Sequence, residues 1–93
     1  MGTEIRFQLA GVQYRQLDFK QANVMIQDQL RLMPEPNNVY DSNAIAVYKG
    51  DIHIGYVPRK DNKGMLASVA AGKATCVVEA AMSTACWVKV EIL

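Results

Sequence analysis

Polar and apolar residues alternate through Glu4-Ile5-Arg6-Phe7-Gln8-Leu9, which predicts a strand with Ile5, Phe7 and Leu9 on its buried face. Ala10-Gly11-Val12 prolongs or bends that strand. Between Tyr14 and Gln29 the pattern is mixed: residues 19–23 suit a helical turn, and Val24-Met25-Ile26 forms an apolar plug. Alternation resumes in Gln29-Leu30-Arg31-Leu32, and Pro34 and Pro36 end it, because proline brings no amide hydrogen to a ladder. Residues 44–49 read as a strand with Ile45 and Val47 inward. Gly50-Asp51 then reverses the chain into a partner strand over residues 52–57. Pro58 stops that strand. Asn62 precedes Met65, Leu66 and Val69 at near-helical spacing, and Gly72 stands at the end, which predicts an Asn62-capped helix over about residues 63–71. Residues 75–81 and 86–93 are strand-like, with Val88, Val90 and Ile92 alternating against Lys89 and Glu91, and Met82-Ser83-Thr84 joins the two.

About five or six short strands with one or two short helical segments make a mostly β domain, a small, strongly curved antiparallel barrel. Parallel α/β folds need more helices and more room. The chain of 93 residues is read as one domain over 1–93, and its 51% apolar content is enough for a single small core.

Ten Lys plus Arg against nine Asp plus Glu leave a formal charge of +1. No long-range field draws the protein toward polyanions, so any nucleic-acid contact is local. No apolar run approaches the roughly 20 residues of a membrane helix, and the N-terminus has no basic segment followed by an apolar one. The expectation is a soluble, cytoplasmic protein with no membrane partner. Met1-Gly2 does not begin a lipidation motif, since Arg6 occupies the position that needs Ser or Thr.

Catalysis has little to stand on. His53 is the lone histidine, set mid-strand opposite the Ile52 and Ile54 face, where a half-exposed strand residue is the ordinary explanation. No nucleophile and base can be paired. If Val78 lies opposite Val88, Cys76 lies opposite Val90 and about four strand positions from Cys86, roughly 13 Å, too far for a disulfide. Two free core thiols fit a reducing compartment. The isolated glycines make no phosphate loop. Asp41-Ser42-Asn43 lacks the glycine and distant glutamate of a calcium loop, so neither metal nor cofactor is expected.

What remains is the run from Pro34 to Val47 and the segment Ile54-Gly55-Tyr56-Val57-Pro58. Asn37, Asn38, Ser42 and Asn43 are turn formers that hydrogen-bond their own backbone. Tyr40 and Asp41 differ: an aromatic beside a carboxylate offers a platform next to an acceptor. Tyr14 and Tyr56 stand near strand ends, where rim packing and ligand contact are both open. Arg59, Lys60 and Lys63 form the basic cluster. A helix start disfavours cations, so their bunching there suggests a phosphate partner. Basic side chains beside exposed aromatics are how single strands are held.

The run Glu35-Pro36-Asn37-Asn38-x-Tyr40-Asp41-x-Asn43-Ala44-Ile45-x-Val47, followed by Ile54-Gly55-Tyr56-Val57-Pro58, resembles a HIRAN domain. The likeness covers about residues 5–72. It implies a small barrel related to OB- and SH3-like barrels, of the kind found at the N-terminus of fork-remodelling helicases and as free-standing or nuclease-associated proteins of bacteria and phages. It further implies a non-catalytic module that binds the 3′-hydroxyl end of single-stranded DNA, a DNA-repair setting, and a helicase or nuclease as possible company. On that resemblance Tyr14 and Tyr40 hold the terminal base or sugar, Asp41 accepts a hydrogen bond from the 3′-hydroxyl, and Tyr56 and Arg59 lie along the adjoining phosphates. Lys60 joins this set, with Gln13, Asn38 and Lys63 in a secondary one. Three positions depart from the helicase members: Gln13 stands in place of arginine, Tyr56 in place of histidine and Pro58 in place of lysine.

The magnitudes favour stacking over charge. Each stacked base contributes about 1–3 kcal/mol, whereas three phosphate contacts from Arg59, Lys60 and Lys63 imply that a fourfold rise in salt weakens binding roughly 18-fold. The competing reading is a protein-interaction adaptor that uses a sheet edge or the exposed tyrosines, motivated by the near-neutral charge and the missing basic positions.

Overall fold

The computed structural model describes residues 2–93. Within them the chain runs β1 (Thr3–Gln8), a 3-10 turn (Val12–Tyr14), α1 (Gln16–Ala22), β2 (Gln29–Pro34), β3 (Ile45–Lys49), β4 (Ile52–Tyr56), α2 (Arg59–Ala70), β5 (Ala74–Met82) and β6 (Ala85–Ile92). The described strands form one antiparallel sheet in the order β1-β6-β5-β2-β3-β4. The sheet curls until Ala10, just past β1, meets Tyr56 at the end of β4, and the two exchange backbone hydrogen bonds of 2.8 Å. Only this bridge joins the sheet's ends among the described residues, so the architecture is barrel-like and incompletely closed.

Alternation sets the register. Val78 pairs with Val88 and Cys76 with Val90, and the four side chains are buried on the inner face. Cys76 and Cys86 are free thiols in the core, as expected. Phe7 and Leu9 are buried, with Ile5 partly so. Ile45, Val47, Ile54 and Met65 have no exposed surface, and full burial of side chains of this size contributes about 1.5–3 kcal/mol each. Phe19 and Ala22 place α1 against β4, while Met65 and Val69 line the buried face of α2, which packs on β2.

Four expectations are corrected. β2 includes Pro34, paired opposite Ile45. Glu35, not Pro34, donates to Ala44 O, so the missing amide faces away from β3, on the side where pairing with β5 has already stopped at Leu30. α1 is longer than one turn. Met25 and Ile26 are 58% and 61% exposed rather than an apolar plug, because Asn23 and Gln27 take left-handed conformations and Asp28 Oδ2 accepts from the Met25 amide at 2.8 Å, turning both side chains outward. Finally, α2 begins at Arg59 with Pro58 at its cap, and Asn62 lies inside the helix. Proline fits there because the first helical amides have no intrahelical acceptor anyway.

Candidate nucleic-acid interface

The bridge between Ala10 and Tyr56 places two chain segments side by side. Gly55 allows their close approach: a Cβ there would stand 3.0 Å from Ala10 O and 3.3 Å from Val12 Cγ2. Gly11, at φ +77°, then turns the chain into the 3-10 helix, a conformation glycine adopts without a side-chain penalty. Tyr14 closes that helix and Arg15 follows it.

The loop between β2 and β3 builds the other wall. Asn38 Oδ1 accepts from the amides of Tyr40 at 2.9 Å and Asp41 at 3.1 Å, and its Nδ2 donates to Glu35 Oε1 at 3.0 Å. An asparagine thus replaces a backbone acceptor and fixes the two residues after the turn. Tyr56 Oη donates to the same Glu35 oxygen at 2.9 Å. Burial and this acceptor push the Tyr56 hydroxyl's pKa up.

Asp41 is bound from three sides. Oδ1 accepts from the Asn43 amide at 2.9 Å, Oδ2 accepts from Asn62 Nδ2 at 2.8 Å, and Arg59 Nε stands 3.7 Å from Oδ2. The Asn43 hydrogen bond, then the Asn62 bond and the Arg59 charge, hold its pKa below the ordinary 3.8. The side chain is 19% exposed: a fixed, ionised acceptor with one side open. Arg59 also donates from Nη2 to Tyr40 O at 3.1 Å, tying α2 to the loop.

These walls enclose a groove of about 690 Å³ lined by Tyr14, Tyr40, Asp41, Tyr56, Arg59 and Asn38, together with Arg15, Asp18 and Asn62. Tyr14 and Tyr40 stand 85% and 84% exposed on its rim. His53 lies behind Tyr56 with ring centroids 4.8 Å apart, and stacks on Tyr48 at 4.9 Å. Its Nε2 donates to Gly55 O at 2.9 Å, and burial, reinforced by the Arg15 charge, pushes its pKa down. It props Tyr56 from the sheet side.

The family model for the HIRAN domain matches residues 3–91. The chain belongs to the HIRAN domain family. Among solved structures, a Lactobacillus plantarum protein matches with TM-score 0.80 and 17% identity, covering 99% of this chain and 97% of that one. The crystal structure of the HIRAN domain of human HLTF gives 0.77 and 17%, covering 96% and 74%. The NMR structure of the HLTF HIRAN domain in its DNA-bound conformation gives 0.62 and 19%, covering 94% and 71%. No curated protein matches the chain.

In this HIRAN domain, six of the nine residues singled out in the sequence border the groove; Gln13, Lys60 and Lys63 do not. Gln13 is exposed on the 3-10 turn. Lys60 Nζ pairs with Asp61 Oδ2 at 2.9 Å. Lys63 sits a turn beyond Arg59, about 6 Å farther along the helix. Sequence reasoning missed Arg15, Asp18 and Asn62. The Arg-x-x-Asp spacing of the first two suits an i,i+3 ion pair and does not place either at a groove, and Asn62 resembles a cap because Pro58 obscures the true helix start.

Proposed function

We propose that this HIRAN domain is a non-catalytic module that holds single-stranded DNA by its 3′-hydroxyl end. One observation carries the reading: two highly exposed tyrosines and a rigidly ligated, ionised aspartate share one groove that also bears arginines. Tyr14 and Tyr40 supply ring faces for bases, and Arg59 neutralises a phosphate. Asp41 accepts a hydrogen bond from a terminal hydroxyl and repels a terminal phosphate, so it reads an end without reading sequence. Family membership and the existence of a DNA-bound HLTF HIRAN structure support the same reading.

The test is titration with short oligonucleotides ending in 3′-hydroxyl or 3′-phosphate. The hydroxyl end is expected to bind more tightly. Equal affinities remove the end-reading role of Asp41. Absence of oligonucleotide binding at low salt, with one stoichiometric protein partner, establishes the adaptor reading instead.

A further inference from the structure

The groove holds a second arginine outside the basic cluster at α2. Arg15 follows the 3-10 turn and borders the groove together with Tyr14 and Tyr56. Its side chain is two-thirds buried against the groove wall rather than extended into solvent. Its side-chain partner among the described residues is Asp18, with Nη1 and Oδ2 3.5 Å apart and side chains 34% and 47% exposed. That separation is long for a charge-assisted bond, which closes to about 2.7–2.9 Å. Most of the five guanidinium donors remain open.

We propose that Arg15 forms a phosphate-binding subsite on the wall built by the 3-10 turn and α1, a different wall from that of Arg59, and that Asp18 is its internal competitor. The ligand is a phosphodiester of the single strand whose end lies over Asp41, so the proposal rests on the reading above. The Asp18 carboxylate occupies part of the guanidinium until a phosphate displaces it. Both members of the pair line the groove, so the exchange needs only side-chain rotation.

The experiment is fluorescence anisotropy with a labelled oligonucleotide ending in 3′-hydroxyl, at 50 and 200 mM salt, on wild type and on Arg15→Gln, Arg15→Lys and Asp18→Asn. With Arg15 and Arg59 as the two phosphate contacts, wild type should weaken about sevenfold across this range and Arg15→Gln only about 2.6-fold. Arg15→Gln should keep its preference for 3′-hydroxyl over 3′-phosphate, because the end is read by Asp41. Arg15→Lys should retain the wild-type salt dependence. Asp18→Asn should bind roughly 1.5- to 5-fold more tightly, the scale of an exposed ion pair.

A purely structural Arg15–Asp18 pair predicts the opposite for Asp18→Asn, weaker or unchanged binding, and either result overturns the competitor role. Unaltered salt dependence in Arg15→Gln overturns the subsite while leaving end binding in place. Absence of binding by wild type removes the end-binding reading and the subsite with it.

Discussion

Asn62 Nδ2 and Asp41 Oδ2 lie 2.8 Å apart although 21 positions separate them in the chain. Asn62 is 3% exposed in the first half of α2, so a helix reaches through the loop to hold the acceptor of the groove. Asn62→Ala should raise the Asp41 pKa toward 3.8 and reduce the preference for a 3′-hydroxyl end while the chain stays folded. Carboxyl titration by NMR and paired oligonucleotide titrations check both.

Acid should destabilise the protein through two carboxylates. Asp28, lowered first by its hydrogen bond with Lys49 and then by the Met25 amide, and Asp41, lowered first by the Asn43 amide, both titrate below 3.8 in the folded state. Their stabilising contribution is therefore fully present above pH 3.8 and is lost as pH falls through the depressed folded values. Melting temperature measured from pH 6 to pH 2 should drop at the acid end, and Asp28→Asn should make that drop shallower.

Removal of a rim aromatic should weaken binding without unfolding the chain. Tyr40 is 84% exposed, so Tyr40→Ala touches no core contact and should lower oligonucleotide affinity by about 1–3 kcal/mol, roughly 5- to 140-fold. Tyr40→Phe, which keeps the ring, should stay close to wild type. Anisotropy titration distinguishes the two.

Gly55→Ala drives a methyl group against Ala10 O and Val12. The close contact is with backbone, which has little freedom to move, so the expected cost is about 1–3 kcal/mol. Thermal melting should show a fall of about 4–8 °C for each kcal/mol.

Cys76 and Cys86 should be inert in the native protein. Burial pushes their thiols up to about 12 and about 11, so almost no thiolate exists near neutral pH. A thiol-specific chromogenic reagent at pH 8 should report no fast-reacting cysteine until denaturant is added, and two afterwards.

Long stretches of the fold are legible in the sequence because alternation and burial agree: Val78, Val88, Cys76 and Val90 fall on one face, and their pairing follows from that face alone. The β3–β4 hairpin is equally plain, since Gly50-Asp51 leaves Lys49 opposite Ile52. The failures have physical causes. Met25 and Ile26 are apolar yet face solvent, because local backbone geometry around Asn23 and Gln27 overrides their preference. At the site, Tyr40, Asp41 and Arg59 are readable as neighbours of turn and strand signals. Arg15 and Asn62 are not, since each reaches the groove only through the packing of a helix whose limits the pattern misplaced.

The two hydrogen bonds between Ala10 and Tyr56 carry a mechanical consequence. They are the seam of the barrel, and the groove opens directly over it, with both residues in its lining. A strand bound across the groove would act as a staple on the isolated bridge that joins the sheet's ends. Occupancy and cohesion of the domain are then thermodynamically linked: whatever favours the closed seam favours binding, and a ligand returns the same free energy to the fold.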